Sequence, residues 1–426
     1  MYTSMFRKAM LGDTATLALD FTTGTMPTAV TFTRADSTAR ATYIDASGYV
    51  KTVTAAGDPR FDYTGGVAKG LLIEAAATNK ALDSESLPAT ANPYLYNGTT
   101  RTVQSSDQNP RGTLGSISFA PTTNGSNNFF GPSIAGFSTT SRVTYSIWLK
   151  ANGTTSGTFL LFTSGALVNS SGVIISQPAG ASASFTGNGG VAPTITNLSS
   201  TGWTRIAVTT DANFVGTGNF DAFLYPKAIS GQLTTDSLYI WGAQAEQSPN
   251  ASSYIPTTTA ALTRLADDAV IRSTAWTSLY AQPGAMVVEF YRGAYGAGDR
   301  SIMSTDPTAT RHWHLKNANA SATAQIAYST GSATTQTGLT AGLNKVAIAW
   351  NAPSPTASFD LCVNGATPTF GGSNVGTTLS TWLTLGSQST TGVSGTGVWD
   401  GYLNNSIKSV KYYTGLTYAE MIAKTT

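Results

Sequence analysis

The sequence predicts an all-β protein in which two antiparallel β-sandwiches follow one another along the chain. Only 11% of the 426 residues are charged and 43 are glycine, and runs of Thr broken by Gly and Ser favour strands joined by turns. Short segments alternate apolar and polar residues with a period of two, as half-buried strands do. Few runs have the apolar period of a long helix, and none reaches the roughly 18 apolar residues of a membrane-spanning helix.

The first segment, residues 14–85, is rich in alternating runs. Its turn signals lie at Asp45–Gly48 and Gly57–Phe61. Strands are predicted around them at Thr16–Phe21, Ala29–Thr33, Ala41–Asp45, Tyr49–Val53 and Gly70–Glu74. We therefore expect residues 1–87 to form a small β-rich N-terminal module.

Two longer β-rich stretches follow, over residues 88–262 and 263–426, and their patterns run in the same order. Val143–Leu149 corresponds to Ala285–Tyr291, Gly202–Val208 to Gly342–Ile348, Phe220–Leu224 to Phe359–Val363, and Leu238–Gln244 to Trp382–Gln388. The shared order indicates an internal duplication, with convergent β patterning as the alternative. Turn signals at intervals of about 8–12 residues are typical of sandwiches. Thr417 and Glu420 predict a capped helix near the end.

The charges are few and balanced, with 24 basic and 22 acidic residues and a net charge of +2. Such a surface produces no strong field towards nucleic acid or an anionic membrane. We therefore expect no nucleic-acid partner and no membrane insertion. The single cysteine, Cys362, is expected to be a small strand residue, because no neighbouring base in the sequence would activate it as a nucleophile.

Motifs in all three segments are similar to those of known proteins. Phe32–Gly48, Pro59–Tyr63, Gly70–Glu74 and Thr78–Asn79 resemble a module common in the structural proteins of tailed bacteriophages, although Ala75–Thr78 lacks the usual Pro and Arg. Trp241–Glu246, Ser253–Thr257 and Thr263–Asp267 resemble the close of the carbohydrate-module-like domain of the same phage proteins. Gly342–Trp350, Val363–Gly365, Leu383–Ser387 and Gly401–Tyr413 resemble laminin-G and concanavalin A-like lectin domains.

The resemblance implies a virion protein of the fibre, spike or decoration type. It implies a virion attachment module over residues 1–87, a carbohydrate-module-like sandwich over 88–262, and a concanavalin/laminin-G-like jelly-roll sandwich over 263–426. By analogy we expect a homo-oligomer, with a trimer as the default, that contacts other virion proteins through the N-terminal module. Residues 1–13 lack the apolar core of a secretory signal, so we expect synthesis in the host cytoplasm and a place on the virion surface.

Signals for catalysis are poor, and we expect no enzymatic activity. His312 and His314 would point to one face of a strand, but no third metal ligand is evident, and we expect no metal site. Glycoside hydrolysis needs two carboxylates about 5–10 Å apart, yet no Glu-x-Asp-x-x-Glu run is present and Glu289 stands alone. We expect no cofactor. Calcium is a weak option, because the loops hold carboxylates and Asn without metal-ligand spacing.

Glycan binding needs exposed aromatic faces beside planar hydrogen-bonding groups. The candidate residues are Tyr291, Arg292, Tyr295, Arg300, His312, Trp313, Tyr94, Tyr96, Phe129 and Phe130. For each, burial in the core or at a subunit contact is the competing interpretation. The tryptophans within predicted strands are expected in the core, namely Trp148, Trp203, Trp241, Trp350 and Trp382.

The sequence therefore predicts a virion fibre or spike whose lectin-like domains bind host surface polysaccharide. The main alternative is a purely structural decoration, spike-base or tail-adaptor protein without a ligand. A polysaccharide depolymerase with carboxylates distant in sequence is the third interpretation.

Overall fold

The computed structural model describes residues 15–88, 94–139, 141–215, 218–272, 274–281, 283–293, 300–305, 313–318, 321–328, 333–350, 356–375, 382–387 and 402–426. Over these residues the chain forms 32 strands and two short helices. Every strand pair among them is antiparallel. The predicted all-β class is confirmed.

The strands fall into the three segments recognised in the sequence. The first segment contains β1 (Leu17–Asp20), β2 (Thr31–Arg34), β3 (Thr42–Ile44), β4 (Val50–Thr52), β5 (Phe61–Thr64), β6 (Val67–Ile73) and β7 (Ala77–Asn79). The second contains β8 (Tyr94–Asn97), β9 (Thr99–Gln108), β10 (Leu114–Pro121), β11 (Phe129–Ile134), β12 (Thr144–Ala151), β13 (Gly157–Thr163), β14 (Ala166–Val168), β15 (Ser170–Ser176), β16 (Ser184–Thr186), β17 (Thr194–Thr196), β18 (Thr204–Thr210), β19 (Phe220–Pro226) and β20 (Leu238–Glu246).

The third segment contains the remaining strands and both helices. These are β21 (Leu262–Arg264), β22 (Asp267–Arg272), α1 (Thr274–Tyr280), β23 (Gly284–Arg292), β24 (Arg300–Thr305), β25 (Trp313–Asn317), β26 (Thr323–Tyr328), β27 (Ala333–Thr337), β28 (Gly342–Trp350), β29 (Thr356–Val363), β30 (Thr369–Val375), β31 (Trp382–Leu385), β32 (Asn405–Tyr413) and α2 (Tyr418–Thr425). Neither helix has the length and hydropathy needed to cross a membrane.

The middle sandwich packs a six-stranded sheet against a seven-stranded sheet. The six-stranded sheet has the order β15-β18-β12-β20-β10-β9, and the seven-stranded sheet has the order β16-β17-β13-β19-β11-β8, with β14 beside β13. Alternate residues of each strand meet in one apolar core, which includes Phe119, Ile147, Phe159 and Leu224. Each sheet therefore has one face on this core and one face directed away from it.

The third sandwich includes strands from the N-terminal segment. Its eight-stranded sheet has the order β30-β29-β28-β23-β32-β6-β5, with β1 beside β32, and its second sheet has the order β2-β22-β31-β24-β25-β26-β27. The separate module expected over residues 1–87 is thus corrected, because β1, β2, β5 and β6 are built into this sandwich. Short hairpins are marginal alone, and these strands gain partners by extending the two larger sheets.

Two of the four aligned sequence segments occupy equivalent places in the two sandwiches. β12 pairs with β18 in the middle sandwich as β23 pairs with β28 in the third. The other two segments diverge: β19 lies in the sheet opposite β18, whereas β29 pairs with β28. β20 pairs with β12, but the strand beside β23 is β32 and not the aligned β31. The two sandwiches therefore share a central strand pair and differ around it.

The N-terminal hairpin β3–β4 covers part of the six-stranded sheet's outward face. Trp148 and Trp241 are buried there and not in the sandwich core, and they pack with Val50 and Tyr254. Trp350, in contrast, lies in the core of the third sandwich. The other two tryptophans expected in the core, at positions 203 and 382, are half-buried.

The predicted C-terminal helix is α2. Thr417 is its N-cap, and its side chain accepts a hydrogen bond from the Glu420 backbone N–H while the Glu420 carboxylate accepts one from the Thr417 N–H. This capping box confirms the sequence pattern. Cys362 is buried in β29 with its Sγ 3.2 Å from Thr425 Oγ1 of the same helix, so the thiol serves as a packing group.

Candidate functional site

Four residues predicted to bind glycan are buried, which corrects the prediction for them. Tyr94 and Phe130 lie in the core of the middle sandwich, where their rings stack with centroids 5.6 Å apart. Trp313 lies in the core of the third sandwich, and Arg300 is buried on β24. Strand alternation turns these side chains inward, and burial leaves none of them a face open to a sugar.

Three other candidates are half-buried and already engaged by neighbours. The Tyr96 hydroxyl donates to a backbone carbonyl 2.8 Å away. Arg292 Nε donates to Asn317 Oδ1 at 3.0 Å. Lys69 Nζ lies 5.2 Å from the centroid of the Tyr291 ring. Tyr291 and Arg292, the candidates of the third segment, therefore already contact other side chains of this chain.

Two candidates, Tyr295 and His312, lie outside the described residues. His314 is buried, with Nε2 3.0 Å from Ser301 Oγ. Within the described ranges, no group of three or more His, Cys, Asp or Glu side chains is placed to hold a metal ion.

The remaining candidate, Phe129, lies on the outward face of the seven-stranded sheet. β11 pairs with β19 in the register that places Phe130 opposite Leu224 on the core side. The alternate residues Phe129, Phe223 and Tyr225 therefore point outward. Phe129 and Phe223 stack with ring centroids 4.2 Å apart, and both are half-buried. Tyr225 lies 5.4 Å from Phe129 and is only 4% exposed, so it supports the stack and offers little surface of its own.

β13 and β8 extend this group on either side. Phe162 of β13 lies 5.4 Å from Phe223, and Leu160 is the cross-strand partner of Phe223. On β8, Leu95 is 45% exposed and pairs with Gly131 of β11. Because Gly131 has no side chain, nothing on β11 separates Leu95 from Phe223. The set that shares this face is called the outer aromatic face and consists of Leu95, Phe129, Leu160, Phe162, Phe223 and Tyr225.

Polar groups lie at both ends of the outer aromatic face. At one end the Tyr225 hydroxyl donates to Asn127 Oδ1 at 3.5 Å. At the other, Ser133 and Asp221 are cross-strand neighbours, and Ser133 Oγ accepts from Asn219 Nδ2 at 2.9 Å. Asp221 is half-buried, and its Oδ1 is enclosed without a hydrogen bond to any described residue, so only its other oxygen can face a ligand. The arrangement combines flat rings with hydroxyl, amide and carboxylate groups, which is the combination that recognises a sugar ring.

Sequence reasoning identified one of these four aromatic residues and missed the other three. The signal was present in β13 and β19, because Phe162, Phe223 and Tyr225 occupy the positions between core residues. A strand that is apolar on both sides has its second face either covered or used for binding.

A buried group of charged side chains lies where the N-terminal segment meets the third segment. This junction cluster consists of Arg34, Asp36, Arg60, Glu74, Arg264 and Asp267. Arg34 contacts Asp36 at 2.9 Å and Asp267 at 3.0 Å, and Arg60 contacts Glu74 at 2.6 Å as well as Asp267. The cluster contains three arginines and three carboxylates and is therefore neutral. Each buried charge has an opposite charge nearby, which offsets the free energy lost when the charges leave water.

The protonation states of the junction cluster follow from these contacts. Burial opposes ionisation of Glu74, but the charges of Arg264 and Arg60 and the hydrogen bonds from Ser253 outweigh it and lower the pKa of Glu74 to about 2. Burial also opposes the charge on Arg60, and the facing Asp267 and Glu74 raise the pKa of its guanidinium. Both groups are therefore ionised at neutral pH, and the cluster is a set of ion pairs.

Comparison with known proteins identifies no family. No protein-family model matches the sequence, and no curated protein matches it. Among solved structures, the CBM40 of Ruminococcus gnavus IT-sialidase is similar over 36% of this chain and 87% of its own length, at 19% identity and a TM-score of 0.26. The same CBM40 bound to alpha2,3 sialyllactose gives the same values. A likeness at this TM-score establishes neither a ligand nor a function for this chain.

Proposed function

We propose that this chain is a non-enzymatic attachment protein that binds a glycan on the outer aromatic face. The observation that carries the proposal is the stacked pair Phe129–Phe223 with Phe162 beside it, three half-buried rings that share one sheet surface. The buried ring of Tyr225 supports Phe129 from the side. The C–H face of a pyranose packs against aromatic rings. Its hydroxyls would reach Asp221 and Ser133 at one end of the face and Asn127 at the other.

The setting proposed for this activity is the surface of a bacteriophage virion, with the protein as a fibre or spike subunit in a homo-oligomer. The residues of the junction cluster support this setting, since each comes from a motif that resembles phage structural proteins. They come from Phe32–Gly48, Pro59–Tyr63, Gly70–Glu74 and Thr263–Asp267. We propose that the ligand belongs to the host cell surface and that the protein works without cofactor or metal.

Retention on immobilised polysaccharides tests the proposal. The purified full chain should bind at least one bacterial polysaccharide of an array saturably. Phe223→Ala should weaken that binding about tenfold or more, because it removes the central ring of the stack. The matched control is Phe370→Ala, which removes a ring that is 68% exposed on the third sandwich, and it should bind like the wild type.

Two outcomes would contradict glycan binding. The first is that the wild-type chain is retained by no polysaccharide on the array. The second is equal binding by wild type and Phe223→Ala, which would remove the outer aromatic face from the function. Release of reducing ends from a bound polysaccharide by the wild-type chain would replace attachment with depolymerase activity.

A purely structural role is the second candidate, and one observation favours it. Leu95 and Leu167 are 45% and 44% exposed on the outward side of the seven-stranded sheet, and apolar faces of this kind also form subunit contacts. Light scattering separates the two roles. If Phe223→Ala changes the oligomer mass, the face is a subunit contact; glycan binding requires the mass to stay the same.

A further inference from the structure

We propose that a second saccharide site lies in a cleft at the junction of the three segments, and that it takes an uncharged oligosaccharide. This junction cleft has a volume of about 620 Å³, within the range of small-ligand pockets. It takes from the proposed function only the premise that the protein binds glycans. Its residues are separate from the outer aromatic face, which lies on the other sheet of the middle sandwich.

The walls of the junction cleft come from different parts of the chain. One wall is β15, the edge strand of the six-stranded sheet, with Val173 and Ile175 39% and 38% exposed. The opposite wall is the N-terminal segment, with Tyr43 on β3 and Tyr63 on β5. Gly293, which follows β23, also lines the cleft. The site thus exists only because the N-terminal strands are built into the fold.

Two polar side chains in the junction cleft are held in place by neighbours and keep further hydrogen-bonding atoms available to a ligand. Asn188 Oδ1 accepts from the Gly172 N–H at 3.0 Å, which fixes the amide and leaves its N–H groups as donors. Asp211 Oδ1 accepts from the Ser171 hydroxyl at 2.8 Å, which leaves its second oxygen as an acceptor. A donor amide and an acceptor carboxylate beside tyrosine rings and apolar side chains suit the hydroxyls and C–H faces of a sugar.

The charges of the junction cleft favour an uncharged ligand. Its lining includes three cations, Lys69, Arg142 and Arg205, and three anions, Asp62, Glu74 and Asp211. Lys69 Nζ lies 3.6 Å from Asp62 Oδ2. Glu74 belongs to the junction cluster, and Arg205 donates to Ser252 and Ser146 at 2.9 and 3.0 Å. The charge of Glu74 is already balanced by Arg60 and Arg264, but Arg205 in turn faces the buried carboxylate of Glu246. The cleft therefore has no excess of either sign, and a charged sugar gains no net attraction there.

The walls are rigid, which lowers the entropy cost of binding. Asp62 accepts from the backbone N–H of Ile44 at 2.8 Å and so joins β5 to β3. Glu74, which follows β6, accepts from the backbone N–H of Ser253 at 2.7 Å. This bond ties the N-terminal wall to the loop after β20, which also lines the cleft. Glu74 thus fixes the N-terminal wall of the cleft relative to this loop.

A filled-cleft variant tests the inference with short neutral oligosaccharides of glucose, galactose and mannose and with sialylated and uronic-acid oligosaccharides as probes. Val173→Trp places an indole in the cleft and should weaken binding of at least one neutral probe about tenfold or more, while Phe223→Ala leaves that binding unchanged. The matched control is Val103→Trp on β9, which is 54% exposed and five strands away in the same sheet. It should bind like the wild type.

Each other outcome has a defined meaning. If no probe and no polysaccharide binds the wild-type chain, both this inference and the proposed function fail. If Phe223→Ala removes all binding and Val173→Trp removes none, the proposed function stands and the second site is overturned. If Val173→Trp weakens only sialylated or uronic-acid probes, in a salt-dependent way, the ligand class is overturned.

Discussion

Asn79 shows how one residue can fasten the N-terminal segment to the middle sandwich. Its amide is fully buried and all its polar capacity is used. Nδ2 donates to the carbonyls of Ala243 and Ile255 at 3.1 and 2.8 Å, and Oδ1 accepts from the N–H groups of Ala81 and Ala245 at 3.0 Å each. Buried amides with this many partners are costly to remove, because the partners are left without hydrogen bonds.

Asn79→Ala should lower the free energy of unfolding by roughly 2–4 kcal/mol, since more than one buried backbone group loses its partner. Urea denaturation of the full chain measures the change. Asn152→Ala removes an exposed asparagine and should change the free energy of unfolding by less than about 0.5 kcal/mol. Equal effects of the two substitutions would show that Asn79 does not fasten the segments.

At the scale of the element, β20 depends on a bulge at one glycine. Ser146 pairs with Gln244 and Trp148 with Trp241, so β20 holds one extra residue across this step. Gly242 lies in the bulge with φ +67°, and a Cβ there would lie 2.7 Å from the Trp148 ring. A left-handed glycine at the start of a bulge is the usual solution to this geometry.

Gly242→Ala should lower the free energy of unfolding through both backbone strain, worth about 1–3 kcal/mol, and the clash with Trp148. The matched control is Gly231→Ala, which has φ +72° but no atom within 4 Å of the new Cβ. Both variants carry the strain, so the difference between their denaturation midpoints isolates the clash. If Gly231→Ala is as unstable as Gly242→Ala, the packing against Trp148 contributes nothing.

Secondary-structure elements can be predicted where the signal lies in neighbouring residues. Strand pairs between residues distant in sequence cannot be predicted in this way. The capping box at Thr417 and the strands β12 and β23 depend on neighbours in the chain, and all three are present in the structure. The pairing of β1 with β32, at opposite ends of the chain, leaves no trace in either strand's own sequence. For the same reason Phe129 was found as an aromatic residue beside asparagines, whereas Phe223 needed the register of the sheet.

At the scale of the whole molecule, the junction cluster adds buried ion pairs to the apolar contacts between the N-terminal segment and the rest of the chain. Asp267 opens β22 in the third sandwich, and its carboxylate contacts Arg34, the last residue of the neighbouring β2, and Arg60, which precedes β5. Glu74 contacts Arg60 and lies 3.5 Å from Arg264. Breaking one partner of a buried pair leaves the other charge uncompensated, at a cost of about 3–5 kcal/mol. Charge pairing therefore joins the N-terminal segment to the third segment, and the hydrogen bond from the Ser253 N–H to Glu74 joins it to the middle one.

This coupling should appear as acid sensitivity. The pKa of Glu74 is about 2 in the folded chain against an ordinary value of 4.5, so its ionisation favours the folded state. This ionisation contributes about 3 kcal/mol to the free energy of unfolding above pH 4.5. The contribution is lost as the pH falls towards 2, because Glu74 is then protonated in both the folded and the unfolded chain. Urea denaturation at a series of pH values should show the free energy of unfolding falling across this window.

Glu74→Gln tests whether this residue carries the effect. The variant should be less stable than wild type at pH 7, because Arg60 and Arg264 lose an anionic partner, and its stability should change less between pH 4.5 and 2. The matched control is Glu85→Gln, which removes a part-exposed carboxylate 2.7 Å from Arg111. Exposed pairs contribute little, so this variant should follow the wild-type pH curve. Parallel curves for wild type and Glu74→Gln would show that acid acts elsewhere in the fold.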